Sequence, residues 1–279
     1  LGRYIKIRDV FRNSTLADLA EGLRSRKEEE WHAPPNLIPE NCTSIVPEML
    51  SMVKLAQEDI DRIVARAPGG AASVQDIYPL VPLQEGVLFH HQLNPENDAY
   101  VTPVLLAFES RERLDAFVAA MNAVIARHDV LRTAILWRDM PRAVQVVHRQ
   151  AKLEVEVFDV DPDRDTLEQL RAYVDEAPLG MELERPPLIR LKAAQRPGEQ
   201  KCHALLLMHH IVGDHVTMEV MLQEIAEVES GELSGEPNPT PYRNFVAYSL
   251  AQLERLDTET FFRDRLGDVD EPTTPFGLT

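Results

Sequence analysis

The chain has 279 residues, of which 44% are hydrophobic, enough for one large domain or two small ones with a buried core. Asp and Glu number 46 against 29 Lys and Arg, and the formal net charge of −17 disfavours nucleic acids and anionic membranes as partners. Two distant cysteines, Cys42 and Cys202, and the lack of any long apolar run argue against a disulfide framework, a membrane span and a signal peptide, and favour a cytoplasmic location.

The first 75 residues divide into a short helical unit and a linker. Asn13-Ser14-Thr15 precedes apolar residues at helical spacing, which predicts a capped amphipathic helix within residues 1–26. Residues 27–75 begin with the charge run Lys27–Glu30 and contain several prolines. We therefore predict an interdomain linker with one short helix over residues 51–65.

From residue 76 onward, strand and helix patterns alternate. Apolar runs predict strands over residues 101–108, 131–137, 144–147, 153–158, 188–193 and 202–208. Periodic apolar residues predict helices over residues 111–128, 165–176, 216–228, 242–256 and 258–266. The run 202–208 is apolar on both faces, which is typical of a central strand covered on both sides. The pattern predicts an α/β (α+β) sandwich with a mixed sheet covered by helices.

The most informative segment joins this central strand to the next helix. It reads Met208-His209-His210-Ile211-Val212-Gly213-Asp214-His215. Successive strand residues point to opposite faces, so one histidine should face the core and the other a cleft. Gly213 permits a turn, after which Asp214 can cap the following helix or pair with an arginine from elsewhere. A metal site is the rival interpretation, opposed by the opposite strand faces and the absence of thiol ligands. Its candidate ligands are His203, His209, His210, Asp214 and His215.

Two further segments have a defined pattern. Arg127-His128-Asp129-Val130-Leu131-Arg132-Thr133 ends the helix predicted over residues 111–128. Its basic residues can complement the helix dipole, or one guanidinium can hold Asp214 through a bidentate ion pair. Residues 78–91 contain Pro79 and Pro82, which predict an extended segment followed by a helix that lines the core.

In their order and spacing, these three segments resemble the motifs of the condensation-domain family of nonribosomal peptide synthetases. Residues 78–89 resemble the first motif, Arg127–Thr133 the second, Arg-His-x-x-Leu-Arg-Thr, and His209–Asp214 the third, His-His-x-x-x-Asp. The resemblance spans residues 76–276. It implies the N-terminal lobe of a two-lobed, chloramphenicol-acetyltransferase-like fold over residues 76–279, with the second lobe absent and this fragment inactive by itself.

Residues 1–26 resemble the C-terminal tail of a peptidyl-carrier domain. The matching pattern is Val10-Phe11-x-x-Ser14-Thr15-Leu16-x-x-Leu19-Ala20, and the carrier's Leu-Gly-Gly-x-Ser motif does not occur. The resemblance implies that the chain itself binds no cofactor. Its substrates would arrive on the 4′-phosphopantetheine of upstream and downstream peptidyl-carrier domains, with an adenylation domain in the same synthetase.

The family's reaction is amide formation, in which the amine of an acceptor aminoacyl thioester attacks a donor acyl thioester. By resemblance, His210 is the base or the amine-positioning residue, and His209 packs beneath the strand. Asp214 would brace the loop, with Arg127 as its partner and Arg132 as the alternate, so Asp214→Asn should harm folding or loop order more than chemistry. His215 departs from the family's usual glycine, which puts loop geometry and substrate access in question.

Several alternatives stay open. Cyclisation domains replace the two histidines with acids, which disfavours that branch. Epimerisation domains share His-His-x-x-x-Asp, although their first segment usually differs from Pro82–Gly86. A non-catalytic module that only docks carrier domains is a further possibility. A free-standing acyltransferase that uses coenzyme A thioesters is opposed by the carrier-like first 26 residues.

Overall fold

The computed structural model describes residues 15–25, 32–232, 239–255, 257–271 and 274. The chain divides into two compact units between Ala33 and Pro34. In the first unit, helix α1 spans Leu16–Ser25. Thr15 caps it, since Thr15 Oγ1 accepts a hydrogen bond from Asp18 N at 3.1 Å and donates to the Asp18 carboxylate at 2.7 Å. Residues 1–14 of the predicted carrier tail lie outside the described residues.

The second unit alternates strands and helices much as the sequence predicts. Its strands are β1 (Val74–Pro79), β2 (Val101–Phe108), β3 (Thr133–Leu136), β4 (Val144–His148), β5 (Val155–Val157), β6 (Ile189–Ala194) and β7 (Cys202–His209). Its helices are α2 (Gln57–Arg66), α3 (Pro82–Leu93), α4 (Arg111–Arg127), α5 (Thr166–Glu176), α6 (His215–Ser230), α7 (Tyr242–Arg255) and α8 (Thr258–Leu266). In the described ranges, no helix has the length and apolar character needed to cross a membrane.

Two elements differ from their predicted form. The strand predicted over residues 131–137 is preceded by a 3-10 turn over Asp129–Arg132, which shortens it to β3. The extended segment around Pro79 is a strand, β1, in which Tyr78 and Ile77 are fully buried. Both prolines are tolerated because Pro79 ends β1 and Pro82 begins α3, where a missing amide hydrogen costs little.

The strands form two sheets. One has the order β1-β4-β3 and is antiparallel, and the other has the order β2-β7-β6-β5. The second sheet is mixed, since β2, β7 and β6 pair antiparallel whereas β5 and β6 pair parallel. The predicted mixed sheet covered by helices is therefore confirmed.

Strand β7 lies in the interior of the mixed sheet and contributes side chains to two hydrophobic cores. Leu206 and Met208 pack with residues of α4 and α6, whereas Leu205 and Leu207 pack with residues of α3 and α5. This alternation follows from the period of two along a strand, and it explains why the run is apolar on both faces. His209, two residues after Leu207, shares the α3 side.

The segment predicted as an interdomain linker, residues 27–75, is part of the second unit from Pro34 onward. Ile38 and Ile45 precede α2, and Ile60 and Ile63 lie on it, and all four are buried in one cluster with Ile77 of β1. From Pro34 onward these residues pack within the second unit, and their assignment as an interdomain linker stays a prediction. Ile38 and Ile45 follow no regular period between the prolines, so the sequence pattern concealed their burial.

Candidate functional site

Strand β7 ends at His209, and the chain turns at once toward α6. His210 N donates to Tyr100 O at 2.8 Å, and Val212 N donates to His209 O at 3.2 Å. As the strand alternation predicts, the two histidines part: the His209 side chain is 0% exposed, whereas His210 is exposed. The turn therefore presents one imidazole to the surface and the other to the core.

The His210 imidazole has a defined hydrogen-bond partner. Its Nδ1 lies 3.1 Å from Gly213 O. A carbonyl oxygen can only accept, so Nδ1 carries the hydrogen when this bond forms. The neutral ring then has its lone pair on Nε2, the form in which an imidazole can accept a proton.

A cleft of about 580 Å³ opens beside His210. Its walls are mainly apolar, with Leu83 and Val87 of α3 and Phe245 of α7 among them. A proton acceptor in a mainly apolar cleft is the arrangement expected of a ligand site with a few polar groups. A second cleft of about 620 Å³, lined in part by His91 and Trp137, does not include His210.

Asp214 caps helix α6 rather than binding an arginine. Its Oδ1 accepts hydrogen bonds from Thr217 N at 3.0 Å and Thr217 Oγ1 at 3.1 Å, and Thr217 Oγ1 accepts from Asp214 N at 3.2 Å. The backbone bond from Thr217, followed by its hydroxyl bond, lowers the pKa of the exposed Asp214 carboxyl. The predicted ion pair of Asp214 with Arg127, or alternatively Arg132, is therefore wrong, because the helix that begins at His215 engages the carboxylate.

The arginines of the second motif bind other groups. Arg127 Nε lies 3.6 Å from Glu224 Oε1, and His128 Nε2 lies 2.7 Å from Glu224 Oε2. Glu224 follows Asp214 by ten residues, about 15 Å along a helix, so this motif braces the middle of α6 instead of its start. Arg132 is buried and donates to Gln75 Oε1 of β1 at 2.9 Å and to His148 O of β4. These bonds tie it to the β1-β4-β3 sheet.

Gly213 is needed for the close approach of the turn to Thr217. A Cβ at residue 213 would lie 2.6 Å from Thr217 Cγ2 and 2.8 Å from Thr217 Cβ, far inside normal contact. His215 is exposed at the first position of α6. The candidate metal ligands His203, His209, His210, Asp214 and His215 are not brought together in the described chain, where the grouping able to hold a metal is a different one, His91, Asp98 and His209.

Asp98 is the residue of this site that the sequence analysis does not identify. Its Oδ2 lies 2.9 Å from His209 Nε2 and 2.6 Å from His91 Nδ1, and its Oδ1 accepts a hydrogen bond from Tyr100 N at 2.8 Å. Burial by itself raises the pKa of Asp98, but the bonds from Tyr100, His209 and His91 outweigh it and lower that pKa. A single Asp in the polar loop after α3 carries no sequence signal of this burial.

Helix α7, which contributes to the cleft, is held by two carboxylates. Asp129 accepts hydrogen bonds from Tyr242 N with both oxygens at 3.1 Å, and Arg243 Nε lies 3.2 Å from Asp76 Oδ2. Burial raises the pKa of Asp76 to about 6, against the opposing effect of Arg243. Burial, with a smaller effect of Asp129, raises the pKa of Tyr242 to about 12.

The capping role of Asp214 predicts a specific difference between two variants. Asp214→Ala should lower the melting temperature of the domain, because Thr217 N and the first turn of α6 lose their acceptor. Asp214→Asn should stay near wild type, since an Asn amide oxygen accepts the same bond, in contrast to the harm to folding or loop order expected from a bracing role. Thermal denaturation of both variants checks this, and equal losses for Ala and Asn would contradict the capping role.

Comparison with known proteins gives one family. The family model described as Condensation domain matches residues 74–269. Malpibaldin synthetase of Mortierella alpina is 38% identical over 282 residues, which cover 100% of this chain and 5% of that protein. One polypeptide of the linear gramicidin synthase of Brevibacillus parabrevis is 27% identical over 246 residues, covering 86% of this chain and 5% of that protein. The chain thus spans about one twentieth of these relatives' length.

Solved structures share the fold. The condensation domain from Monacolin K polyketide synthase MokA aligns with a TM-score of 0.54 at 19% identity, over 72% of this chain and 44% of that one. The EpoB cyclization-docking bidomain from Sorangium cellulosum aligns with a TM-score of 0.56 at 20% identity, over 70% of this chain and 40% of that one. At these identities the likeness establishes the fold alone, and the chain covers less than half of each structure.

Proposed function

The chain belongs to the condensation-domain family of nonribosomal peptide synthetases, and from this premise we propose that it is the N-terminal lobe of a domain that forms amide bonds. The substrates are a donor acyl thioester and an acceptor aminoacyl thioester, both tethered to carrier domains. The observation that carries the proposal is the His210 imidazole, whose Nδ1 is engaged by Gly213 O beside a mainly apolar cleft.

A thioester is already activated, so the reaction needs orientation of the two substrates and transfer of a proton. The acceptor amine attacks the donor carbonyl, the C–N bond forms, and the C–S bond breaks with release of the donor thiolate. His210 Nε2 accepts the proton that the amine nitrogen loses, and the resulting imidazolium supplies a proton to the leaving thiolate. Because Nδ1 is bonded to Gly213 O, the ring is oriented with Nε2 available for both transfers.

The proposed partners follow from the same reaction. Upstream and downstream peptidyl-carrier domains deliver the thioesters on 4′-phosphopantetheine, and an adenylation domain of the same synthetase loads them. Residues 1–26 are proposed as the tail of one such carrier domain, supported by the pattern from Val10 to Ala20. A cytoplasmic location is proposed from Cys42 and Cys202, which are both free and buried.

The test is amide formation by the complete domain, extended through its second lobe and supplied with two loaded carriers. His210→Ala should reduce the single-turnover rate about 10²–10⁴-fold, the usual contribution of general acid–base catalysis, with residual product from proximity. His215→Ala is the matched control, because it removes an exposed imidazole at the first position of α6 that does not line the cleft. Product is quantified by mass spectrometry.

Three outcomes would contradict the proposal. A His210→Ala variant that condenses at the wild-type rate would exclude the proton-transfer role. Inversion of the donor α-carbon without any amide product would identify an epimerisation domain, and carrier binding without either reaction would identify a docking module.

A further inference from the structure

We propose that Asp98, supported by His91, is a positioning residue for His210, acting through His209 and through Tyr100. The consequence for activity rests on the proposed role of His210, whereas the hydrogen-bond arrangement does not. Asp98, His91 and His209 together form the Asp98 clamp. All three side chains are buried, with 1%, 4% and 0% exposed, respectively.

The first path runs from Asp98 through the His209 ring. A carboxylate oxygen only accepts, so His209 Nε2, 2.9 Å from Asp98 Oδ2, must carry a hydrogen. In a neutral ring this places the lone pair on Nδ1, and Nδ1 accepts from Ile211 N at 3.0 Å. Ile211 follows His210 directly, so the tautomer that Asp98 selects holds the peptide on the C-terminal side of His210.

The second path runs through the backbone of Tyr100. Asp98 Oδ1 accepts from Tyr100 N at 2.8 Å, and Tyr100 O accepts from His210 N at 2.8 Å. The amide of His210 and the amide of Ile211 are therefore each linked to the same carboxylate through one intermediate residue. Because these two amides flank the His210 Cα, the carboxylate fixes the position of the backbone from which the His210 side chain extends.

His91 completes the environment of the carboxylate. Its Nδ1 lies 2.6 Å from Asp98 Oδ2, and its ring meets Trp137 and His209 edge to face at centroid distances of 5.6 and 5.9 Å. An ionised buried carboxylate is stable only where donors satisfy its oxygens, and three donors do so here. Removal of His91 Nδ1 should therefore disturb the same paths as removal of Asp98.

The same hydrogen bonds argue against a metal ion at this cluster. Both ring nitrogens of His209 are occupied, Nε2 by Asp98 and Nδ1 by Ile211 N. A metal at Nε2 would displace the hydrogen that Asp98 accepts and break the first path. We therefore assign a hydrogen-bonding role to the cluster, and the metal content of the purified protein tests this assignment.

The first experiment identifies the tautomer in the complete condensation domain. Histidine labelled with ¹⁵N and read by long-range ¹H–¹⁵N correlation should show neutral His209 with hydrogen on Nε2 at pH 7. In Asp98→Asn, whose amide retains an acceptor for Tyr100 N, this signature should shift to the other tautomer or to a mixture. Hydrogen on Nδ1, an imidazolium, or stoichiometric zinc in the wild type by elemental analysis would overturn the proposal.

The second experiment separates the two bonds of His209 with isosteric amides. His209→Gln places an amide nitrogen near the Nε2 position and keeps a donor for Asp98, but it removes the acceptor for Ile211 N. His209→Asn places an amide oxygen near the Nδ1 position and keeps that acceptor, but it no longer reaches Asp98. Each should lower kcat about 10–100-fold, as misplacement of a reacting group by about 1 Å does. KM for the loaded carriers should stay within about threefold, because only the reacting imidazole is misplaced.

The matched pair His91→Asn and His91→Phe keeps the proposal testable where His209 variants fold poorly. Asn preserves a donor near the Nδ1 position and should retain wild-type kcat, whereas Phe preserves ring packing without the donor and should lose kcat like Asp98→Asn. The pH at which kcat is half-maximal should be the same in wild type and His91→Phe, because His210 still transfers the proton. Equal kcat for Asn and Phe, or a displaced pH profile, would refute positioning through Asp98.

The two proposals fail in distinguishable ways. Full activity of His210→Ala together with the Nε2–H tautomer of His209 would refute the function of His210 and leave the clamp's hydrogen bonds intact. Loss of activity in His210→Ala together with full kcat in the folded clamp variants would refute the positioning role alone.

Discussion

Arg243→Met should lower the free energy of unfolding of the domain by about 3–5 kcal/mol, because it leaves a buried carboxylate without its counterion. Arg243 and Asp76 are 8% and 9% exposed, and Arg243 Nε lies 3.2 Å from Asp76 Oδ2. That Nε makes no aligned hydrogen bond, so the contact is mainly electrostatic. Since Arg243 also donates to Ser51 Oγ at 3.0 Å, the variant loosens α7 beside the cleft.

The pH dependence of this loss has a definite sign. The folded-state pKa of Asp76, about 6, lies above its ordinary value of 3.8, so the folded protein binds this proton more tightly than the unfolded chain does. The stabilisation from protonated Asp76 is therefore complete below pH 3.8 and is lost as the pH rises through about 6. Arg243 opposes the shift, so its removal raises the pKa of Asp76 further and makes the variant's deficit larger at pH 8 than at pH 5.

Two control variants isolate the buried pair. Asp76→Asn combined with Arg243→Met should recover most of the loss, because no unpaired charge remains. Arg111→Met breaks an exposed ion pair, Arg111 Nε to Asp115 Oδ1 at 2.9 Å, and should cost about 0.5 kcal/mol or less. Urea unfolding at pH 5 and pH 8 measures all four proteins, and a deficit in Arg243→Met that does not grow with pH would contradict the assignment.

The parts of the site that a local period determines were predictable. Alternation along β7 predicted that one histidine faces the core and the other a cleft, as His209 and His210 do, and the helix-start pattern made Asp214 a cap candidate. The family resemblance, not the alternation, assigned the cleft to His210. Resemblance to a family motif led instead to the expected pairing of Asp214 with Arg127. That choice was wrong, because Asp214 caps α6 and its carboxylate is bonded by Thr217, only three residues further along the chain. An arginine from a distant segment does not have to reach this carboxylate.

The partners that position His210 were not predictable, because they come from distant parts of the chain. Asp98 meets His209 across 111 residues, and Gln84 meets Ile211 across 127. Nothing in the local pattern distinguishes Asp98 from a solvated loop residue or Gln84 from an exposed helix residue. Burial of residues 34–75 escaped prediction for a related reason, since Ile38 and Ile45 pack without a regular period.

Gln84→Leu should be strongly destabilising and should also disturb the turn at His210. Gln84 Oε1 accepts from Val81 N at 3.2 Å and from Gln145 Nε2 at 2.9 Å, and Gln84 Nε2 donates to Gln145 Oε1 at 3.0 Å and to Ile211 O at 2.9 Å. Gln145 Nε2 keeps a second acceptor, Pro79 O at 3.1 Å, whereas Val81 N, Gln145 Oε1 and Ile211 O lose their partner. Each buried group left without a partner costs about 1–3 kcal/mol, so these three groups predict a loss of about 3–9 kcal/mol.

A double-mutant cycle with Gln145→Leu separates the amide pair from the bond to Ile211. Both side chains are buried, and the combined variant removes both amides at once, so its loss should be smaller than the sum of the single losses by about 0.5–3 kcal/mol.

The rate of amide formation should follow a different pattern from the stability of these variants. Gln84→Leu releases Ile211 O, while Ile211 N is still held by His209. Amide formation should therefore fall in Gln84→Leu and in the double variant, and far less in Gln145→Leu. Additive stability losses, or equal rates in the two single variants, would show that Gln84 does not connect the first motif to the turn at His210.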